Sequence, residues 1–245
     1  MTTTTVVLGC IVCCMAGLAS GLTSFGCALV AVPLLTLFLP PRTVVPLVLF
    51  ITNVSHAIVL ADTWKLVELK RIWLLVVCGG ISTALGTYLL LILDGSVLKL
   101  GVGSIIVLSA VALLLGFDRP LRHQKASLAS IGILSGLRSG ATGMGGPPVV
   151  LFYTNQRVEK RVFRANLNAY FTVLALSTLP WQLAGGLITK SVVLYAVLFL
   201  PALVLGTGLG ILLLPRVEQK TFRSVVPNIA MLSGTLSILS GFGLL

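Results

Sequence analysis

The chain is dominated by long apolar runs separated by short polar segments. A helix crosses a bilayer when about 20 consecutive residues are predominantly apolar. Six uninterrupted runs are close to that length, and each predicts one membrane-spanning helix. They cover residues 43–61, 72–93, 97–116, 163–184, 191–214 and 225–245. The pattern therefore predicts an all-α integral membrane protein.

Two further apolar stretches are longer than a single span and are interrupted. Residues 5–39 are broken around 21–26, and residues 126–153 are broken around 140–148. Both interruptions are dense in glycine, and the second also contains two prolines, so neither sustains a regular helix. We expect each stretch to form two helical arms around a non-helical break, either as a full hairpin or as a half-depth re-entrant loop.

The composition excludes most classes of soluble protein. Hydrophobic residues make up 57% of the 245 positions and only 9% are charged, and the mean hydropathy is +1.09. Soluble proteins carry about 25% charged residues, so this chain has too few to cover a globular surface. A cytosolic enzyme, a nucleic-acid-binding module and a disordered tail are all excluded.

The net charge of +11 is explained by membrane topology. Of the 17 Lys and Arg residues, 13 lie in four polar loops, at 62–71, 117–126, 155–164 and 215–224. The four loops share one side of the membrane only if each broken stretch enters and leaves on the same side. Cytoplasmic loops are enriched in Lys and Arg, so this arrangement is favoured. It predicts a multi-pass protein of the cell (inner) membrane with both termini outside the cytoplasm.

The sequence also contains an internal repeat at an offset of 119 residues. Residues 17–26 align with residues 136–145, and six of the ten positions are identical. The repeat divides the chain into an N-terminal half, 1–120, and a C-terminal half, 121–245. Each half has one broken helix pair and three spanning helices, so the number of passes is odd and the two halves have inverted topology. Inverted repeats with broken helices are typical of secondary transporters.

The two breaks are the predicted binding site. Inverted halves bring both breaks toward the bilayer midplane, where the arms that begin near Gly26 and Gly146 direct their N-termini. Free N–H groups and the helix dipole at such ends attract an anion, and glycine at 26, 145 and 146 lets the backbone approach a ligand closely. The residues concerned are Gly26, Gly145 and Gly146, with hydroxyl donors from Thr23, Ser24, Ser139 and Thr142.

An alternative is that the glycines only permit close helix packing. Small residues at a spacing of four allow two membrane helices to come into contact. Gly132, Gly136 and Gly140, in the arm before the second break, have this spacing.

The residues around the breaks resemble a known family. Residues 20–35 resemble the first signature of the TauE/SafE family of sulfite exporters, and residues 140–150, with Gly-Met-Gly-Gly-Pro-Pro, are similar to the second. The resemblance implies export of sulfite, sulfonates and related small sulfur-containing or organic anions. The first motif departs from the family's usual glycine triplet, because it keeps Gly26 but carries Ser24, Cys27 and Ala28. Cys27 thereby places a small, weakly polar side chain beside the predicted pocket.

Intramembrane ionisable side chains are few, which makes each one a candidate for function. Arg138, two residues before Gly140, is placed to balance the charge of a bound anion; the alternative is snorkelling or pairing with backbone carbonyls. Histidine titrates near neutral pH, so His56 could carry a coupled proton; the alternative is a structural, hydrogen-bonded histidine. Asn166, Asn168 and Tyr170 form a polar cluster in which Asn166 and Tyr170 share a helix face and Asn168 points elsewhere. The cluster either lines the pathway or bonds neighbouring helices.

Together these features favour a secondary transporter of small anions, with an anion channel or facilitator as the nearest alternative and a non-transporting membrane scaffold as a more distant one. An enzyme is not expected, because the six acidic residues lie in loops or at helix ends and the two histidines are far apart. Cys10 and Cys13 have no His or acidic companion, so neither a metal nor a cofactor is predicted. The expected partners are a small anion and the lipid bilayer, with no nucleic acid; the oligomeric state and the direction of transport stay open.

Overall fold

The computed structural model describes residues 3–94, 124–155 and 159–214, together with isolated positions between 96 and 111 and at 235 and 239. Its three continuous ranges contain eight α-helices and no strand. The helices are α1 Thr3–Thr23, α2 Gly26–Thr36, α3 Pro41–Thr63, α4 Leu69–Ile92, α5 Gln124–Thr142, α6 Gly146–Asn155, α7 Lys160–Ala184 and α8 Lys190–Leu213. A 3₁₀ turn, Trp64–Leu66, connects α3 to α4.

Four of the described helices are long and apolar enough to cross a membrane. They are Thr3–Thr23, Pro41–Ala61, Leu69–Ile92 and Lys190–Leu213. The last three confirm the spans predicted at 43–61, 72–93 and 191–214, and the first is the leading arm of a broken stretch. Helix α7 covers the span predicted at 163–184 but is more polar along its length. Apart from isolated positions, the spans predicted at 97–116 and 225–245 lie outside the described residues.

Both predicted interruptions are present, and both are short. Residues 24–25 separate α1 from α2, and residues 143–145 separate α5 from α6; these are called the first and second breaks below. The second break is shorter than the predicted 140–148 because Pro147 and Pro148 lie in the first turn of α6. A proline there costs no helical hydrogen bond, since the first N–H groups of a helix have no partner within it.

Two helix pairs pack most extensively, α1 against α8 and α4 against α5. In each pair, glycines of the broken stretch face the backbone of the partner helix. A Cβ atom at Gly21 would overlap the carbonyl oxygen of Thr207, and one at Gly140 would overlap that of Thr83. Gly136 likewise faces the carbonyl oxygen of Gly79. The packing role weighed for Gly136 and Gly140 is therefore present in the structure.

Helices α3 and α7 lie between these two pairs. Helix α3 packs on α2, α7 and α8, and α7 also packs on α4. One apolar core joins α1, α2, α3 and α8, and a second joins α4, α6 and α7. The two central helices therefore carry side chains toward both breaks.

The outer faces of the described helices differ from those of a soluble protein. Large apolar side chains are exposed on the outer helix faces, including Ile81 at 73% and Leu212 at 74%. Polar side chains of α7 are buried instead, among them Asn166, Asn168 and Thr178. Hydrocarbon solvates the apolar faces and leaves the polar groups to bond one another inside. Together with the apolar spans, this burial pattern identifies a multi-pass membrane protein.

Candidate functional site

The first break is capped by a side chain from the preceding helix. The hydroxyl of Thr23 donates to the carbonyl oxygen of Ala19 at 2.8 Å. Thr23 Oγ1 in turn accepts from the N–H of Phe25 at 3.1 Å and from that of Gly26 at 2.8 Å. Ser24, within the break, has a φ of 71°, which is the left-handed region that favours glycine. The last turn of α1 thereby caps the first turn of α2.

An arginine of α7 binds the same turn. Arg164 donates from Nε to Ser24 Oγ at 3.1 Å and from Nη2 to the carbonyl oxygen of Gly21 at 3.0 Å. A positive group is favourable there, because the C-terminal end of α1 is the negative end of its dipole. We predicted Arg164 in the basic loop 155–164. Helix α7 begins earlier, at Lys160, so Arg164 lies in its second turn and reaches the first break.

The second break begins with the same left-handed position as the first. Gly143 lies 119 residues after Ser24 and has a φ of 74°. Its N–H donates to the carbonyl oxygen of Ser139 at 2.9 Å, as the N–H of Ser24 does to that of Ser20 at 2.6 Å. The two positions of the repeat therefore end their helices in the same way.

Side-chain contacts at the second break follow the repeat only in part. The hydroxyl of Thr142 donates to the carbonyl oxygen of Arg138 at 2.8 Å, which matches the contact made by Thr23. A further contact has no counterpart in the first half: Ser135 Oγ donates to the carbonyl oxygen of Gly145 at 2.6 Å, whereas the position that matches Ser135 is Ala16. Both threonines predicted as ligand donors thus bond the backbone one turn before them.

A small cavity lies between the two breaks. Its volume is about 30 Å³, enough for a water or two. The first break and α2 contribute Phe25 and Ala28 to its wall, and the rest comes from α3, α5, α7, the second break and the start of α6. None of the described wall residues carries a fixed charge. This cavity is where both breaks meet, and it is the candidate functional site.

Four of the predicted site residues line this cavity. They are His56, Ser139, Gly145 and Gly146. The other predicted residues lie outside the described wall: Thr23, Ser24, Gly26, Cys27, Arg138, Thr142 and Asn166. The structure therefore brings the second break and α3 together at the cavity, whereas the predicted side chains of the first break face its own turn.

Three predicted residues have clear packing or bonding partners away from the cavity. Cys27 is fully buried in the apolar core of α1, α2, α3 and α8. A Cβ atom at Gly26 would lie 2.9 Å from Thr23 Oγ1, so this glycine allows the turn to close. Asn166 Oδ1 accepts from the N–H of Glu68 at 2.8 Å and so joins α7 to the start of α4.

His56 belongs to a hydrogen-bonded chain across α3 and α7. His56 Nδ1 lies 3.0 Å from Asn168 Oδ1. Asn168 Nδ2 in turn donates to the carbonyl oxygen of Arg164 at 2.7 Å. The imidazole also packs on the ring of Phe171, with 5.3 Å between centroids. The cavity is thereby connected through α7 to the arginine that binds the first break.

Ser139 presents a hydroxyl to the cavity, whereas its counterpart in the first half does not. The side chain is 2% exposed, and no hydrogen bond from it to another described residue is formed. Its counterpart Ser20 accepts from Ser55 Oγ at 2.8 Å, and Ser55 Oγ lies 3.0 Å from Thr207 Oγ1. The position that matches Ser55 in the second half is Leu174, which cannot bond a hydroxyl.

The helix N-termini at the breaks offer fewer free N–H groups than expected. At the first break, the N–H groups of Phe25 and Gly26 are both bound by Thr23. At the second break, Pro147 and Pro148 occupy the first turn of α6 and have no N–H. The dipoles of α2 and α6 are unaffected, but side chains must supply more of the donors for a ligand than the sequence suggested.

The polar face of α7 was only partly identified from the sequence. We predicted a polar cluster of Asn166, Asn168 and Tyr170 and chose Asn166 as the ligand residue, whereas Asn168 is the asparagine that binds His56. Helical periodicity could have identified this face from the sequence, because positions 164, 168, 171 and 175 lie on one side of α7. Arg164 and Asn168 bond the polar network, and Phe171 and Ala175 line the cavity.

Metal ligation is not a feature of the part of the chain described by the structure. Within residues 3–94, 124–155 and 159–214, no three His, Cys, Asp or Glu side chains come together as a metal site requires.

Comparison with known proteins adds a family match. Residues 9–236 match the family model described as Sulfite exporter TauE/SafE. No curated protein and no solved structure matches the chain. The matched range contains both breaks and all of α2 to α8.

Proposed function

The chain belongs to the sulfite exporter TauE/SafE family, and we propose that it transports small sulfur oxyanions, such as sulfite and sulfonates, through the cavity between its two breaks. The observation that carries this proposal is that both breaks contribute to one cavity, which also has a hydroxyl and an imidazole in its wall. The family is one of membrane transporters, which agrees with the prediction that the chain is not an enzyme.

The second break and its surroundings supply the anion contacts in this proposal. Ser139 donates its unused hydroxyl to an oxygen of the anion. Gly145 and Gly146 keep side chains away from the cavity, so the backbone and the dipole of α6 approach the ligand. Arg138 precedes Ser139 and adds positive potential that favours entry of an anion.

The remaining predicted residues support the site indirectly. Thr23, Ser24 and Gly26 form the turn at the first break, and Thr142 closes the turn at the second. Cys27 packs α2 into the core, and Asn166 holds the start of α4. We assign to these residues the positioning of α2, α6 and α7 around the cavity.

The matched contacts at the two breaks support a duplicated architecture. We infer that the halves 1–120 and 121–245 are repeats of inverted topology, each with one broken helix pair and three spanning helices. The helix packing agrees with this, because the first arm of each half packs on a helix of the other half. Helix α1 packs on α8, and α5 packs on α4. An inner-membrane location with both termini outside the cytoplasm follows from the basic loops.

A transport cycle follows from the cavity and the packing. A cavity of about 30 Å³ is too small for sulfite, which has four heavy atoms, so the ligand enters only when the helices separate. The glycine contacts make α1 with α8 one unit and α4 with α5 another. Rocking of these units about α3 and α7 would open the cavity alternately to the two sides.

Purified protein in liposomes tests this proposal. Electrical currents are recorded on rapid addition of sulfite, a sulfonate such as sulfoacetate, a simple carboxylate and chloride, with and without a pH gradient. A saturable response to sulfur oxyanions but not to chloride is expected of a carrier, whereas a non-saturating response indicates a channel or facilitator. Electroneutral exchange is followed with labelled sulfite. Absence of both currents and labelled uptake, with protein-free liposomes as the control, would refute transport and favour a scaffold.

A further inference from the structure

The hydrogen bonds of Asn168 fix the protonation pattern of the His56 ring. A backbone carbonyl can only accept a hydrogen bond, so the atom of Asn168 that lies 2.7 Å from the carbonyl oxygen of Arg164 is the amide nitrogen. The amide oxygen is then the atom that faces His56 Nδ1 at 3.0 Å. An amide oxygen only accepts, so His56 Nδ1 carries a proton.

The other ring nitrogen of His56 is therefore an acceptor when the ring is neutral. A neutral imidazole has one N–H, and here Nδ1 holds it. His56 lines the cavity and its Nδ1 is bound to Asn168, so Nε2 is the ring nitrogen whose lone pair is left to meet a ligand. A lone pair repels the oxygens of an anion, whereas a protonated Nε2 offers them both a donor and a positive charge.

The cavity wall gives this proton a specific role. None of the described wall residues has a fixed positive charge, and burying an anion without a compensating charge is strongly unfavourable. Resting on the function proposed above, we propose that an anion binds in the cavity only when His56 is protonated on Nε2, so that one proton is bound with each anion. The proton comes from water on the side where the anion enters, adds to the Nε2 lone pair, and is lost again when the anion leaves.

Among the charged and titratable groups on the surrounding helices, His56 is the one whose protonation changes when the anion binds. Helix α7 carries Arg164 and α5 carries Arg138, and arginine stays charged throughout the physiological range. Tyr170 on α7 and Cys27 on α2 are both buried outside the described cavity wall. The nearest acidic residue along α3 is Asp62, six positions from His56, or about 9 Å of helix rise.

The test measures binding of methanesulfonate to the purified full-length protein between pH 5 and pH 9. This sulfonate is fully ionised over that range, so any pH dependence comes from the protein. For the wild-type protein, Kd should rise about tenfold per pH unit on the alkaline limb, as linkage to one proton requires. Calorimetry in two buffers of different ionisation enthalpy should show uptake of one proton per anion at alkaline pH.

Two variants separate this proposal from a structural role of the histidine. His56→Gln places an amide donor in the cavity that needs no proton, so Kd should lose its pH dependence. Asn168→Leu removes the acceptor for Nδ1–H and lets the neutral ring carry its proton on Nε2, so the dependence should become shallower. Because the calorimetric measurement needs only the wild-type chain, the test survives if either variant fails to fold.

The outcomes distinguish this inference from the function on which it rests. Methanesulfonate binding with an unchanged Kd and no proton uptake from pH 5 to pH 9 would overturn proton coupling but leave anion transport in place. Absence of binding at every pH would overturn the inference. If labelled sulfite were still taken up by liposomes in that case, only the cavity assignment would fail, whereas absence of uptake as well would also refute the proposed function.

Discussion

Ser24 provides a quantitative test of the first break. Its φ is 71°, and the matching residue in the second break, Gly143, has a φ of 74°. A residue with a Cβ atom in this conformation costs about 1–2 kcal/mol. The hydroxyl of Ser24 offsets that cost, because it accepts from Arg164 Nε at 3.1 Å. A hydrogen bond from a charged donor contributes about 1.5–3 kcal/mol.

Two substitutions separate the strain from the hydrogen bond. Ser24→Ala loses the hydrogen bond and keeps the strain, whereas Ser24→Gly loses the hydrogen bond and removes the strain. Glycine also has greater conformational freedom in the unfolded chain, which lowers the stability of the Ser24→Gly variant by about 0.4–1 kcal/mol. We therefore expect Ser24→Gly to be more stable than Ser24→Ala by about 1 kcal/mol. In an Arg164→Met background, where the hydrogen bond is already absent, Ser24→Gly should be stabilising.

The assay is reversible unfolding of the purified protein in detergent micelles, with the variants compared as a double-mutant cycle. Gly143→Ala is the converse control and should be destabilising by about 1 kcal/mol. Its Cβ atom would meet Val32 Cγ2 at 3.5 Å, which is an ordinary contact, so strain is the expected cause. Equal stability of Ser24→Gly and Ser24→Ala would refute the left-handed turn. A coupling near zero between Ser24 and Arg164 would refute the contact between α7 and the first break.

Two further predictions concern the helix contacts and the cavity. Gly140→Ala places a Cβ atom against the carbonyl oxygen of Thr83 and should lower the free energy of unfolding by about 1–3 kcal/mol in the same assay. The matched Gly208→Ala has no atom within 4 Å of its Cβ and should not destabilise the protein. Equal effects of the two variants would contradict backbone contact between α4 and α5. Ser139→Ala should weaken sulfite binding about fivefold to tenfold with no change in the free energy of unfolding. Ser55→Ala should lower that free energy by about 1 kcal/mol or more and leave sulfite binding unchanged. Loss of binding in Ser55→Ala but not in Ser139→Ala would exclude Ser139 as a ligand donor.

The membrane spans and the positions of the two breaks depend on local sequence, and they were predicted well. The spans at 43–61, 72–93 and 191–214 were found because apolar runs of that length have few other stable environments. Both breaks were found because clustered glycines, followed by two prolines at the second break, destabilise a regular helix. The extent of both breaks was overestimated. Residues 21–23 complete α1 and residue 26 begins α2, while residues 140–142 complete α5, and Pro147 and Pro148 are tolerated in the first turn of α6.

The site depends on which helix faces which, and local patterns do not encode that. Thr23 and Thr142 were predicted as ligand donors, yet each bonds the carbonyl one turn before it, a local alternative that hydroxyl side chains in helices commonly adopt. Arg164 was assigned to the basic loop 155–164 because it lies in a polar segment between two apolar runs. Its contact with Ser24 spans 140 positions of the chain, and only the tertiary packing of α7 beside the first break creates it.

The central claim is that the anion passes through the cavity between the two breaks, and filling that cavity tests it most directly. Ala28 lines the cavity, and an Ala28→Phe side chain would occupy it, whereas Leu205→Phe changes a side chain that is 67% exposed on the outer face of α8. Uptake of labelled sulfite is measured in liposomes that contain equal amounts of each folded variant. We expect Leu205→Phe to transport at the wild-type rate and Ala28→Phe to lose transport. Wild-type uptake by Ala28→Phe would show that the anion takes another path.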